Sequence, residues 1–262
     1  MSHEAVLDAG IFRLFLLNGN DFAQKCISLC PKMANDYFRF KKFTVSQSKC
    51  AMKVGTDGTL LGAWADGGGS ILDIGTGTGL IALMMAQRFP DAQVTGIDID
   101  PGAIVQAREN VAQSVFSDRI RIVEADAVDY QGRYDCIVSN PPYFEHSLTC
   151  PDNQRTLARH TDSLSYDDLF RAVRRLLTDD GVFSMVTPFD YRARVMEAAA
   201  LNGFFVRREW AVKTTPRKSP RRYLLAFGLH STPNVDQGTG IIEDAPGQRS
   251  GWYRQLTDAF YL

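Results

Sequence analysis

Residues 70–79, Ser-Ile-Leu-Asp-Ile-Gly-Thr-Gly-Thr-Gly, limit the folds open to this chain more than any other stretch. The apolar run SILDIG (70–75) reads as a short buried strand, and TGLIALMMAQRF (78–89) reads as a helix. Between them Gly75, Gly77 and Gly79 allow a sharp turn and close approach of the backbone to a ligand. The first turn of the following helix presents unpaired N–H groups to the same place. A strand, a glycine loop and a helix in this order belong at the carboxyl edge of an open α/β sheet, where such sheets bind ligands.

The rest of the chain repeats the rhythm. QVTGIDID (93–100) reads as a strand and PGAIVQARENVAQS (101–114) as a helix, with Pro101 at its first position, where a missing N–H does no harm. Further strands are expected at 119–126, 134–140 and 181–188, and a helix at 166–177. The alternation gives a parallel sheet with helices on both faces. Two final strands, 204–212 and 221–229, are joined by a short turn and read as an antiparallel pair. The expected fold is therefore α/β and Rossmann-like: a mostly parallel, seven-stranded sheet closed by a C-terminal antiparallel hairpin. Upstream, YFRFKKFTV (37–45) reads as one strand, and an apolar helix is expected from Thr59 to Ala65. The expected domain spans 33–230. Residues 1–32 read either as an appendage preceding a second methionine, Met33, or as a native N-terminal helix. Residues 231–250, rich in Gly, Pro, Ser, Asp and Gln, read as a flexible stretch within a C-terminal tail, 231–262.

Composition narrows the class. A 45% hydrophobic content supports a core, and a net charge of -1 confines any grip on nucleic acid to local patches. The five cysteines are irregularly spaced; Cys26 and Cys30 have no second pair to complete a zinc site, so no metal is expected and the thiols read as free. The longest apolar stretch, 11–17, is interrupted by Arg13 and is too short to cross a membrane. A cytoplasmic protein is expected.

The glycine spacing is G-x-G-x-G after Asp73, and not the G-x-G-x-x-G that cradles a pyrophosphate. S-adenosylmethionine carries no phosphate but has an ammonium and a sulfonium, and an acid at the end of the strand suits such a cation. Asp98 lies 23 residues after Gly75, placed to accept the ribose hydroxyls. Asp100 reads as the N-cap of the next helix. Asp126 closes the third strand, where a carboxylate can accept the exocyclic amine of the cofactor's adenine. Asn140-Pro141-Pro142-Tyr143 follows the fourth strand. Asn140 offers a side-chain carbonyl, and the prolines hold the Pro141 carbonyl rigidly beside it. Two acceptors aimed at one NH₂ orient its lone pair, and Tyr143 gives a face for a planar base. These residues read as a site that positions a planar amine or amide, with no strong base.

DIGTGTG, Asp98, Asp126 and NPPY together resemble the class I methyltransferases that modify exocyclic amino nitrogens. The segment FRFKKFTVSQSKCAMKVGTDGTLLGAW (38–64) is similar, more narrowly, to the bacterial tRNA1(Val) adenine-N6-methyltransferases. The resemblance covers roughly residues 36–230. It implies N6-methylation of the adenine just 3′ of the anticodon, position 37, with S-adenosylmethionine as cofactor and tRNA as partner. It also implies that Gly55, Asp57 and Lys53 help close the cofactor pocket.

Two stretches are locally basic: Arg39, Lys41, Lys42, Lys49 and Lys53 in one, and 207–222 in the other, where Arg217, Lys218 and Arg221 lie near the turn between the last two strands. Basic residues interleaved with aromatics suit a folded RNA. Ordinary solvated strand faces would look the same. Lys41, Lys42, Arg217, Lys218, Arg221 and Pro142 are taken as substrate contacts, and the loop from Glu145 to His160 as a lid, with neither His146 nor His160 assigned to catalysis. A monomer with no membrane partner is expected. The rival readings are a protein glutamine methyltransferase acting on release factors, a DNA or ribosomal RNA amino-methyltransferase, and a catalytically silent RNA-binding module.

Overall fold

The computed structural model describes residues 36–49, 53–142 and 164–262. The chain divides into units Met1–Asp36 and Tyr37–Leu262, and every described element lies in the second. In chain order its elements are β1 (Tyr37–Arg39), β2 (Thr44–Ser46), α1 (Thr56–Trp64), β3 (Ser70–Ile74), α2 (Leu80–Arg88), β4 (Gln93–Asp98), α3 (Pro101–Ala112), β5 (Ile120–Glu124), β6 (Tyr134–Ser139), α4 (Tyr166–Leu176), β7 (Leu177–Pro188), a 3₁₀ turn (Phe189–Tyr191), α5 (Arg192–Leu201), β8 (Phe205–Lys213), β9 (Arg222–Gly228), β10 (Asp236–Ile241), β11 (Glu243–Ala245), β12 (Gln248–Arg249) and α6 (Gly251–Thr257).

The main sheet has eight strands in the order β10-β8-β9-β7-β6-β3-β4-β5. β3 pairs in parallel with β4 on one side and β6 on the other, so the strand order reverses between β3 and β6. Ligands bind beyond the carboxyl ends of strands at such a switch point. β9 is antiparallel to both β7 and β8. The Rossmann-like α/β architecture is as expected, including the late hairpin. Apolar side chains gather on both faces. One cluster joins α1, α2 and α3 to the sheet through Leu61, Met84, Ile104 and Val138. The other joins α4 and α5 through Phe170, Val173, Phe183 and Phe227. Among the described residues no helix is long and apolar enough to cross a membrane.

Three expectations are corrected. YFRFKKFTV is a hairpin, because Lys41 and Lys42 turn the chain and the Phe40 N–H donates to the Phe43 carbonyl (2.9 Å), burying both rings. The first helix begins at Thr56, three residues early. Residues 231–262 are no tail: β10 adds an eighth strand, parallel to β8, and α6 buries Tyr253 against the core. The composition of DQGTGI hides that strand. Its glycines leave room for indoles; a Cβ at Gly238 would lie 2.8 Å from Trp210, and one at Gly240 would lie 2.3 Å from Trp252. Those indoles stack on each other at 5.8 Å.

Candidate active site

The glycine loop is built around a buried acid. Asp73 Oδ2 accepts hydrogen bonds from the Thr76 hydroxyl (2.7 Å) and the Ala82 N–H (3.2 Å). Its Oδ1 is buried with no hydrogen-bond partner among the described residues. Burial pushes the Asp73 carboxyl up to about 7; the bonds from Thr76 and Ala82 oppose the rise, and the nearby charge of Asp98 adds to it. Thr76 reaches its place because Gly96 has no side chain, since a Cβ there would lie 2.7 Å from the Thr76 hydroxyl. Gly75, Gly77 and Gly79 have φ of +71°, +55° and +80°, in the left-handed region that glycine favours. Gly75 faces open space, whereas Gly79 packs α2 against Ala107 of α3.

Asp98 ends β4 with each carboxylate oxygen held by backbone: Oδ2 accepts the Gly77 N–H (2.9 Å) and Oδ1 the Asp100 N–H (3.0 Å). Each oxygen keeps acceptor capacity for a ligand. Asp100 caps α3, as expected, by accepting the Gly102 N–H at 2.8 Å. Asp126 is exposed beyond β5, and its Oδ1 accepts the Val128 N–H at 2.8 Å. Sequence reasoning missed Ile99 and Val128, apolar side chains that are exposed beside these two acids. An exposed apolar residue next to a candidate ribose acid is a signal that the sequence did contain.

Next along the edge, Ser139 ends β6 opposite Ile74 and donates its hydroxyl to the Ile74 carbonyl at 2.9 Å. Asn140 therefore begins one residue further out, beside Gly75. Pro141 is buried and Pro142 exposed. Tyr143 and the loop carrying His146 and His160 lie outside the described residues. The structure thus brings Asp126, Asp98, the glycine loop and Asn140 to one edge, in that order, across β5, β4, β3 and β6.

The N-terminal segment is clamped onto α3. The Asn110 amide donates to the Ser46 carbonyl (2.9 Å) and the Thr78 carbonyl (2.8 Å), and its oxygen accepts the Ser46 N–H (2.8 Å). Gly55 is the exposed N-cap of α1. The Asp57 carboxylate pairs with Arg222 at 2.7 Å. Arg222 starts β9 beside the end of β7, and the neighbour of Asp57, Gly58, packs on Leu80 directly after the glycine loop. Lys53 is exposed. Lys41 donates its amine to the Asp258 carbonyl at the end of α6, and Lys42 is exposed in the hairpin turn. The second basic stretch divides. Arg208 pairs with Asp66 and Asp236, while Arg217, Lys218 and Arg221 stay exposed at the carboxyl edge with no ion pair to a described residue.

Residues 54–214 match the family model described as the methyltransferase small domain. A solved predicted O-methyltransferase from Agrobacterium tumefaciens shares the fold at a TM-score of 0.60 and 19% identity, covering 78% of this chain and 96% of that one. Among curated relatives, the tRNA1(Val) (adenine(37)-N6)-methyltransferase of Bacteroides thetaiotaomicron is 49% identical over 88% of this chain and 99% of its own. That of Phocaeicola vulgatus is 51% identical over the same shares. With that identity over nearly the whole of each relative, this chain belongs to the tRNA1(Val) (adenine(37)-N6)-methyltransferase family.

Proposed function

We infer that this chain transfers a methyl group from S-adenosylmethionine to the N6 amine of adenine 37 in tRNA1(Val). The observation that carries the reading is the adjacency of Asn140 to the Gly75 loop, which sets an amine-orienting acceptor one strand from a cofactor loop. The residues fit that cofactor. The unpartnered Oδ1 of Asp73 is a buried acceptor whose cost a nearby cation offsets, and the open space at Gly75 admits a ligand against the backbone. Asp73 and Gly75, Gly77 and Gly79 would hold its amino-acid end, Asp98 its ribose, and Asp126 its adenine amine, with Ile99 and Val128 lining the ring and Gly55 bordering the pocket. Asp57 contributes by holding Arg222 at the same edge. When bound, S-adenosylmethionine supplies an electrophilic methyl on a sulfonium.

The chain's own residues do the positioning. The Asn140 side-chain carbonyl and the Pro141 carbonyl accept the two N–H bonds of the target amine, turning its lone pair toward the methyl. Tyr143 stacks on the base, Pro142 borders it, and Arg217, Lys218 and Arg221 meet phosphates. Lys41 and Lys42 turn at the other, amino edge of the sheet, where Phe43 meets Phe116 and Lys41 meets Asp258 beside the end of α2, and they are left out of that surface. The enzyme acts as a monomer in the cytoplasm; the free, buried thiol of Cys136 accords with a reducing compartment.

Asn140→Ala tests the reading. Loss of one preorganised group costs roughly 100–1000-fold in rate. Single-turnover methylation of tRNA should fall by that order while calorimetry shows cofactor affinity near the parent's. A near-parental rate would reduce NPPY to a turn. Tyr143→Ala should weaken RNA binding as well as turnover, and Tyr143→Phe should be tolerated, because the ring face does the stacking.

A further inference from the structure

The carboxyl edge continues past Asn140 to an aromatic that the core does not use. β7 ends at Pro188, one strand from Asn140, and the next residue, Phe189, is 47% exposed. A phenylalanine left in water forgoes the burial that usually places it. Phe189 is nonetheless fixed. Its N–H donates to the Arg221 carbonyl (3.0 Å), and its ring stacks on Tyr223 with centroids 5.9 Å apart and planes at 26°. Tyr223 also carries the Arg192 guanidinium 5.2 Å from its centroid, and Glu209 holds Arg192 in turn at 2.5 Å. The result is a preorganised aromatic step beside the exposed cations Arg221 and Arg194.

We propose that Phe189, braced by Tyr223, is a stacking step for an unpaired base of the RNA, the nucleotide adjoining the adenine held at Asn140. Ser139 pairs with Met185, so Asn140 lies opposite Val186 and Phe189 stands three residues further along the adjoining strand. Strand spacing and rise put it about 11 Å from Asn140, within reach of the next nucleotide once the target adenine is turned out of the stack. Every base has a face to stack, and the adjoining basic turn meets the phosphates. A protein partner would have no need of alternating ring and cation at the rim of a base-binding edge. The step rests on the tRNA reading above and assigns Phe189 a positioning role in holding the strand, with no part in methyl transfer itself.

The test uses the full chain with Phe189→Ala, Phe189→Leu and Phe189→Trp. The RNAs are an unmodified tRNA1(Val) transcript and two transcripts made abasic on either side of the target adenine. Losing a stacked base should raise the RNA Kd and KM roughly 5- to 100-fold for Phe189→Ala and Phe189→Leu, with Phe189→Trp near parental. The single-turnover rate at saturating RNA and the S-adenosylmethionine affinity should stay unchanged. On one abasic transcript the parent and Phe189→Ala should bind alike, because the partner is already gone. Parental methylation of tRNA with no change in Kd or KM for Phe189→Ala overturns the step alone. So does an equal penalty for Phe189→Ala on all three RNAs. A parent that methylates a release factor and no tRNA overturns the tRNA reading, and the step falls with it.

Discussion

Asp73 is a carboxyl that the fold places under the glycine loop and strips of water, and its titration should be visible. Its pKa in the folded chain, about 7, lies above the ordinary 3.8. Between those values the folded state holds a proton that the unfolded state has lost, so stability falls as pH rises through that window and levels off above 7. The slope is at most about 1.4 kcal/mol per pH unit. Asp73→Asn keeps the shape without the charge, so its melting temperature should drop less between pH 5 and pH 8 than the parent's. Equal drops in the two proteins would show that Asp73 does not titrate in that range. A cation beside the loop favours the carboxylate, so S-adenosylmethionine should bind more tightly as pH rises toward 8 and release up to about one proton near pH 7. Calorimetry in buffers of different ionisation enthalpy reads that proton, and Asp73→Asn should bind weakly and release none. The positions of Asp73, Asp98, Asp126 and Asn140 are legible because each lies at or just past the end of an apolar strand. Their states are not. Spacing cannot tell that Asp73 is fully buried, that Asp98 already accepts two backbone N–H groups, or that Phe189 is left outside the core.

Elements place these residues through side chains that no motif advertises. Asn110 lies in the last turn of α3, buried, and ties β2 to the carbonyl of Thr78 in the glycine loop. Asn110→Ala leaves the Thr78 and Ser46 carbonyls and the Ser46 N–H without that partner, a loss of about 2–3 kcal/mol. The midpoint of denaturant unfolding should fall accordingly, and the affinity for S-adenosylmethionine should drop several-fold because the loop loses a brace. Reduced stability with unchanged affinity would show that the loop holds its shape without α3. The ion pair between Asp57 and Arg222 does the same for α1 and β9. The alternation of strand and helix was readable because each buried strand is a short apolar run and each helix carries an apolar face. β10 was not, because DQGTGI has no apolar period and becomes a strand only where the open side of β8 and two indoles wait for it. The split of YFRFKKFTV into a hairpin was hidden for a related reason, since aromatic content marks strand character without marking a turn.

At the scale of the molecule, the first and last described segments are one structure. Phe40 stacks on Tyr261 at 5.8 Å, the Lys41 N–H donates to the Phe260 carbonyl at 2.8 Å, and Phe260 is buried in the same cluster as Phe40. A chain starting at Met33 should therefore melt like the full chain and bind cofactor equally well, because residues 37–262 form a unit. Early melting or aggregation would make residues 1–32 part of that unit. Removal of residues 231–262 should do the opposite, exposing the edge of β8 and leaving Phe40 without its partner, and the product should be insoluble or lose its cooperative melt. The junction also sets a clock. Some 220 residues separate Lys41 from Phe260, and a ribosome adds about 5–20 residues per second. The aromatic hairpin therefore emerges about 10–45 seconds before its partners exist. Through that interval Phe38 and Phe40 wait for Tyr261 and form a sticky patch on the nascent chain, and slowing synthesis near the end should raise the share of the protein lost to aggregation more than slowing it near the start.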